Sequence, residues 1–301
     1  MTERDRGWLP VFLLLSTIWG ASFMFIKVSD RALAPLQVAF GRCALGALAL
    51  IALLVARRDR LPRDRAAWAH VFVVATMFNS VPFALFAWGE TEVSSVVAGI
   101  ANAATPLYVL LVSLAVLPDE RPTRDRVLGL VVGFAGVVIV LGPWRDIGGE
   151  LLGYLACLAA AGCYGLGFPY TRRFLTNRPE SAVSLSAAQV ASGALQLAPF
   201  VALGTSAPTH LPLDATLSML VLGAGGTGIA YVMNYDVIRR AGAQIASTVT
   251  YLVPIFATVL GVVVLGEALT WNEPVGAAVV LLGVALAQGR LRLSASRPSR
   301  G

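Results

Sequence analysis

Two stretches of this sequence, ERPTRDRVLGLVVGFAG at 120–136 and EALTWNEPVGAAVVLLG at 267–283, share one pattern: a glutamate, eight residues, a glycine, six residues and a second glycine. Pro106 precedes the first glutamate by 14 residues, and Pro254 precedes the second by 13 residues. A pattern that returns in the same order after a fixed interval indicates an internal repeat.

Further matches lie at about the same interval, in the same order along the chain. Trp19-Gly20 matches Tyr164-Gly165, and Gly46 matches Gly193, which aligns Arg42 with Gln189. The chain is therefore predicted to consist of two related halves, residues 1–146 and residues 147–301.

The composition is too apolar for an ordinary soluble protein. Of the 301 residues, 57% are hydrophobic and 13% are charged, whereas soluble domains average about 45–50% apolar and about 25% charged residues. A helix of about 20 mostly apolar residues crosses the hydrocarbon core of a membrane. We predict an all-α integral membrane protein with ten transmembrane helices. They lie near 8–27, 35–56, 68–89, 95–117, 127–143, 151–170, 183–203, 216–238, 244–265 and 274–290.

The basic residues predict the orientation, because Lys and Arg concentrate in the short loops on the cytoplasmic side. With the N-terminus inside, every second connecting segment carries most of the basic residues, 19 of the 23. These residues are Arg4, Arg6, Arg57, Arg58, Arg60, Arg63, Arg65, Arg121, Arg124, Arg126, Arg172, Arg173, Arg178, Arg239, Arg240, Arg290, Arg292, Arg297 and Arg300. Both termini are therefore predicted to be cytoplasmic.

A repeat with an odd number of helices inserts its second copy in the opposite orientation. Two inverted five-helix repeats are typical of secondary transporters, because exchanging the conformations of two similar halves turns an outward-open protein into an inward-open one. The repeat therefore favours transport of a small molecule.

Little in the sequence supports catalysis or a cofactor. Cys43, Cys157 and Cys163 lie in predicted helices, and their odd number excludes complete pairing within one chain. His70 and His210 are far apart in sequence. We predict no enzyme activity, no metal and no cofactor. The net charge of +6 reflects the cytoplasmic arginines and does not indicate nucleic-acid binding. The expected partners are a small-molecule substrate and the bilayer, with the chain a monomer or weak homodimer.

Polar residues at membrane depth are costly and usually face an internal cavity. Asn79, Asn102, Asn234 and Thr250 lie well inside predicted helices and are candidates for the pathway. The alternative is that these residues only tie helices together. Arg42, the one basic residue well inside a helix, is a candidate to hold a substrate carboxylate. Alternatively, its guanidinium snorkels to the surface or binds a backbone carbonyl.

Aromatic residues supply a second set of candidates, because their rings form an apolar, stacking pocket. The candidates are Trp19, Phe83, Trp88, Tyr164, Phe168, Tyr231 and Tyr251. Core packing, or for Trp88 an interfacial belt, is the alternative. The spacing of Asn79, Phe83, Phe86 and Glu90 predicts that they share one helix face. Pro106 and Pro254 are predicted helix breaks with a role in gating.

Glycine and glutamate in the repeated pattern have structural interpretations. The rows Gly129, Gly133, Gly136 and Gly276, Gly283 suit close helix packing, within one chain or between two chains. Glu120 and Glu267 are predicted to cap helices or lie in loops. The other acidic residues also lie at helix ends or in loops, and Glu90 and Asp236 are the deepest of them. The sequence therefore disfavours obligatory proton coupling.

Together, the Trp-Gly of helix 1, Arg42 early in helix 2, the helices with Pro106 and Pro254, and the doubled glutamate–glycine pattern resemble the EamA family of the drug/metabolite transporter superfamily. The resemblance covers essentially the whole chain. It implies a ten-helix inner-membrane exporter of amino acids or related metabolites, most similar to the aromatic amino-acid exporters typified by YddG. Efflux of drugs or hydrophobic cations is the alternative transport function, and a transporter-derived membrane sensor is the alternative without transport.

Overall fold

The computed structural model describes residues 8–116, 124–142, 150–241 and 246–287. Throughout these ranges the chain is helical, with short turns between helices and no β-strand. Several residues used to predict the orientation lie outside the described residues, among them Arg4, Arg6, Arg121 and the arginines from Arg290 onward. Glu120 also lies outside the described residues.

The described helices follow the predicted order. They are α1 (Leu9–Ser29), α2 (Pro35–Ala56), α3 (Arg65–Ala75), α4 (Val81–Glu92), α5 (Ser95–Asn102), α6 (Thr105–Val116), α7 (Arg124–Leu141), α8 (Glu150–Phe174), α9 (Ala182–Gly204), α10 (Leu213–Leu220), α11 (Ala230–Ala241), α12 (Val253–Leu265) and α13 (Asn272–Ala287). π-Helical segments join α3 to α4 and α10 to α11, and a 3₁₀ turn precedes α12; they are Thr76–Ser80, Val221–Ile229 and Thr248–Tyr251.

Eight helical stretches of the described chain are long and apolar enough to cross a membrane. They are Leu9–Ser29, Pro35–Ala56, Arg65–Glu92, Ser95–Val112, Glu150–Phe174, Ala182–Gly204, Leu213–Ala241 and Thr248–Leu265. Two shorter apolar helices, Val127–Val140 and Asn272–Leu286, coincide with the predicted fifth and tenth helices. Each of the ten predicted helices thus has a helical counterpart, and eight of these counterparts have the length of a span.

The predicted helix at 95–117 is interrupted near its middle, where the chain turns at Ala103 and Ala104 between α5 and α6. Pro106 explains the interruption, because proline has no N–H to donate and its ring collides with the carbonyl four residues earlier. The predicted helix at 68–89 begins earlier, at Arg65, because the Asp64 side chain accepts a hydrogen bond from Ala66 N at 3.0 Å.

The glycines of the repeated pattern pack α7 against α13 within this chain. A methyl group on Gly136 would lie 2.5 Å from Val280 N, and one on Gly283 would overlap the backbone of Gly133. Because the two backbones approach this closely, only a residue without a side chain fits at the contact. Of the two alternatives for these rows, the structure shows packing within the chain.

Candidate functional site

A central cavity lies between helices of both halves. It encloses about 440 Å³ of space not filled by atoms, including its open mouth. The residues that line it are Trp19, Ser22, Arg42, Phe78, Phe83, Asn102, Tyr164, Phe168, Tyr231 and Thr250. Eight of the twelve residues predicted to line the pathway are in this set.

The position of Arg42 follows from a close approach between α2 and the π-helical segment Val221–Ile229. A methyl group on Gly46 would lie 2.9 Å from Gly223 O, so the two backbones are almost in contact. This approach brings Thr227 beside Arg42, whose Nε donates a hydrogen bond to Thr227 Oγ1 at 3.1 Å. The Thr227 hydroxyl in turn donates to Leu222 O at 3.1 Å, which fixes its orientation.

The Arg42 guanidinium is held without an acidic partner in the described chain. The residue is 5% exposed, so it does not snorkel to the surface. Its central carbon lies 3.6 Å from the centre of the Phe83 ring, in cation–π geometry. The ion pairs of the described residues join Arg178 to Asp64 and Glu180, and Arg240 to Asp236, and none involves Arg42. A guanidinium has five N–H donors, and Nε is the one committed to Thr227.

Aromatic rings from both halves form much of the cavity lining. Trp19 of α1 donates from Nε1 to Gly226 O at 3.3 Å, and its ring packs edge-on against Tyr231 at 6.1 Å. The Tyr231 hydroxyl donates to Phe78 O at 2.6 Å. Phe78 packs against Tyr164 at 5.5 Å and against Phe168 at 5.0 Å between ring centres. These contacts fix the rings as a rigid apolar surface.

Besides Ser22, two uncharged polar residues contribute to the lining. Asn102 lies at the end of α5 beside the break before Pro106, and its Oδ1 accepts a hydrogen bond from Thr105 Oγ1 at 3.3 Å. Thr250 lies in the 3₁₀ turn that precedes Pro254, and its hydroxyl donates to Ser247 O at 2.8 Å. Both polar groups therefore lie where a proline begins a new helix.

The other four predicted site residues lie elsewhere. Asn79 is buried and accepts a hydrogen bond from Gln189 Nε2 at 2.8 Å. Asn234 is buried on α11 outside the lining, and its Oδ1 has no hydrogen-bond partner among the described residues. Trp88 is 40% exposed on the surface of α4. Tyr251 is half-buried and packs against a core cluster.

Sequence periodicity missed Phe78 and Ser22 and put Asn79 on the same face as Phe83. The π-helical segment Thr76–Ser80 explains the error for α3 and α4. A π turn contains more residues than an α turn, so it shifts the following residues around the helix axis. Phe78 therefore faces the cavity, and Asn79 contacts α9. No local sequence signal marks this π turn.

A separate set of contacts joins the halves at the basic, predicted cytoplasmic end. Arg178 Nη1 donates to Asp64 Oδ2 at 2.8 Å, and the Ser181 hydroxyl donates to Asp59. The hydrogen bond from Arg178 lowers the pKa of the exposed Asp64 carboxyl below its ordinary value.

Among the described residues no group of His, Cys, Asp or Glu side chains is arranged to hold a metal ion.

This chain is similar in sequence to known transporters. An uncharacterized transporter of Archaeoglobus fulgidus is 28% identical over 93% of this chain and 97% of its own length. YedA of Escherichia coli K12, described as an uncharacterized inner membrane transporter, is 24% identical over 94% of this chain and 92% of its own length.

A solved crystal structure has a TM-score of 0.70 with 23% sequence identity, over 96% of this chain and all of the other. At this identity the likeness shows a shared fold alone. The model of the EamA-like transporter family matches residues 6–142 and, a second time, residues 151–288. The two matches leave few residues of the chain uncovered. This multi-pass membrane protein therefore belongs to the EamA-like transporter family.

Proposed function

We propose that this chain exports amino acids with aromatic or other hydrophobic side chains, or related small carboxylates, across the inner membrane of a bacterial-type cell. In this proposal the chain has ten transmembrane helices, cytoplasmic termini and two inverted repeats, 1–146 and 147–301. The substrate binds in the central cavity, and the two halves give it access to each side in turn.

The buried Arg42 guanidinium is the observation that carries this proposal. A buried charge is stable only when it is paired or hydrogen-bonded, and Arg42 has one hydrogen bond, a ring face and no carboxylate among the described residues. A substrate carboxylate would supply the missing charge and accept two parallel hydrogen bonds from the guanidinium. Arg42 is thus assigned to the acid group of the substrate.

The aromatic lining favours a substrate with an apolar side chain. Phe78, Tyr164, Phe168 and Tyr231 present rings to the cavity, and their mutual contacts leave few free polar groups. Asn102 and Thr250 are the polar groups assigned to orient an amino or hydroxyl group. The lining has the composition of a small-molecule site, in which apolar and aromatic side chains surround a few polar groups.

The charge of the lining argues against efflux of hydrophobic cations. Such a substrate would need an acidic group in the cavity, and the described lining contains none while it contains Arg42. The same lack of an acidic group in the described lining supports export without obligatory proton coupling. A membrane sensor would bind the same ligands without moving them.

Uptake of radiolabelled amino acids into liposomes that contain the purified protein tests the proposal, with no ion gradient imposed. Saturable uptake of aromatic amino acids that Arg42→Gln abolishes is the expected result. Binding without uptake would support the sensor, and uptake of hydrophobic cations in place of amino acids would support the alternative transport function. Uptake only after a proton gradient is imposed would contradict the uncoupled mechanism.

A further inference from the structure

Two buried carboxyl groups lie outside the central cavity, near the end of the helices that the positive-inside bias places away from the cytoplasm. Glu90 lies in the last turn of α4 and is fully buried. Asp30 follows the last residue of α1, and both of its carboxyl oxygens are buried. None of the four oxygens accepts a hydrogen bond from any residue in the described part of the chain.

The nearby lysine does not neutralise either carboxylate by direct contact. Lys27 Nζ donates to the backbone carbonyl of Glu90 and to that of Val93, the latter at 2.8 Å. Both carbonyls lie at the C-terminal end of α4. A cation is stabilised there because the C-terminal end of a helix carries partial negative charge. Lys27 therefore stabilises the C-terminal end of α4, and its hydrogen bonds connect α1 to α4.

Glu267 supplies a third carboxyl group to the same region. Its carboxylate accepts hydrogen bonds from Ser95 N at 2.9 Å, from Ser95 Oγ at 2.8 Å and from Val96 N at 3.2 Å. Three hydrogen-bond donors therefore hold this carboxylate in place. Glu267 follows α12, and Ser95 begins α5, so this contact joins the second half of the chain to the first.

The ionisable groups that act electrostatically on the Glu90 carboxyl are Asp30, Lys27, Glu267 and Arg42. Cys157 of α8 is the other titratable group that interacts with Glu90 and Lys27. Two other carboxyl groups therefore act electrostatically on Glu90, which also lies at the negative end of a helix dipole. An ionised carboxylate without hydrogen-bond donors is strongly disfavoured in such a site, so the neutral acid is the stable form.

Asp30 lies beyond the end of the α1 span, and burial favours the neutral form of its carboxyl as well. Burial raises the pKa of its carboxyl from 3.8 to about 8, although the charge of Lys27 lowers it. Asp30 therefore carries a proton at neutral pH as long as water is excluded from this end of the protein.

We propose that Glu90 and Asp30 form a proton-binding site at the outer end of the bundle, which is protonated while that end is closed and loses its protons when it opens. On opening, water reaches the two acids, the O–H bond of each breaks, and the outer solution takes the proton. The site takes protons back from the same side on closing, so no proton crosses the membrane. This site is separate from the proposed substrate cavity and regulates it.

The consequence is that acidity outside favours the closed state. For each acid, the ratio of closed to open protein rises by up to about tenfold for each unit by which the pH falls. This holds between the pKa of the acid in the closed state and its pKa in the open state. Glutamine at position 90 imitates the neutral acid, so Glu90→Gln is expected to keep the outer end closed at high pH.

Infrared difference spectroscopy of the full-length protein in lipid tests the protonation directly. The carbonyl band of a protonated carboxyl is followed between about pH 5 and about pH 9, a range that lies above the ordinary carboxyl pKa values and spans the raised pKa of Asp30, about 8. Wild type is expected to show the band and to lose it in part as the pH rises. Glu90→Gln and Asp30→Asn should each remove a share of it, whereas Glu92→Gln, an exposed acid two residues further along α4, should leave it unchanged.

Hydrogen–deuterium exchange of residues 88–97 tests the link to closure, with variants compared at one pH at a time. At about pH 9 wild type should exchange faster than Glu90→Gln, and at about pH 5 the two should coincide. A band that neither variant changes, or identical exchange at both pH values, would overturn the proposal. Neither measurement needs a substrate, so failure here is distinguishable from failure of amino-acid uptake.

Discussion

The guanidinium carbon of Arg42 lies 3.6 Å from the centre of the Phe83 ring, between two helices of the same half. The ring provides partial negative charge on one face of the cation, and Thr227 from the other half binds Nε. This arrangement keeps a charge in the membrane interior with part of the guanidinium free for an acidic ligand.

Replacing Arg42 tests whether the planar guanidinium or only its charge matters. Arg42→Lys is expected to weaken binding of an aromatic carboxylate by roughly tenfold or more, because lysine has neither the bidentate fork nor the stacking plane. Arg42→Gln should abolish binding. Affinities measured by calorimetry in detergent check this prediction, and Arg31→Lys, an exposed position, is the matched control.

The buried chain of hydrogen bonds between Asn79, Gln189 and Tyr235 ties the halves together. The Tyr235 hydroxyl donates to Gln189 Oε1 at 2.8 Å, and Gln189 Nε2 donates to Asn79 Oδ1 at 2.8 Å. Tyr235→Phe and Asn79→Ala should each reduce stability by about 0.5–2 kcal/mol. In a double-mutant cycle of the two, the effects should fall short of additivity; full additivity of the melting-temperature changes would contradict the network.

Packing of α7 on α13 depends on glycine. Gly283→Ala should lower stability by about 1–3 kcal/mol, because the added methyl group overlaps the backbone of Gly133 and the helices must separate. Thermal unfolding in detergent measures the effect. Gly204→Ala is the control, since a methyl group there meets nothing within 4 Å. Equal melting temperatures for the two variants would show that the contact is loose.

The Glu267 carboxylate accepts three hydrogen bonds at the start of α5, so its removal leaves two backbone N–H groups without their acceptor. Glu267→Ala should reduce stability by about 1–3 kcal/mol. Glu267→Gln should reduce stability by less, because the amide oxygen of glutamine still accepts a hydrogen bond. The melting temperature of Glu150→Ala, an exposed acid in the first turn of α8, should change little by comparison.

Asp30 gives the stability a distinct pH dependence. Its pKa in the folded protein, about 8, exceeds the ordinary 3.8. The folded state therefore holds the proton more tightly, and the contribution to stability is complete below the ordinary value and lost as the pH rises to about 8. Wild type should melt lower at pH 8 than at pH 5, and Asp30→Asn should flatten this difference. Asp214→Asn, at an exposed position, should retain the wild-type slope.

Most of the helical segments could be predicted from apolar runs, because the length needed to cross a membrane restricts where helices begin and end. Proline marked where they break: Pro106 separates α5 from α6, and Pro254 begins α12 after a 3₁₀ turn. The glycine rows were recognised as a packing surface. The sequence did not show that these two rows contact each other, since the same small residues suit contacts within one chain and between chains.

The candidate site could be predicted only in part. Trp19, Arg42 and Tyr164 stood out because aromatic or charged residues at depth, or residues repeated between the halves, are few. Phe78 was missed and Asn79 was placed on the wrong face, because an assumed period of 3.6 residues does not allow for the π turn at Thr76–Ser80.

The sequence alone determined that the chain is a helical membrane protein, and it predicted an internal repeat, because hydrophobicity, helix length and proline act locally along the chain. Only the tertiary structure decided which side chains meet. Arg42 and Thr227 are 185 positions apart, and Glu267 caps a helix that begins 172 positions earlier. The burial of Glu90 likewise depends on the helices that pack against α4, among them α1, α2 and α8, because burial is a property of the packed helices and not of the residue.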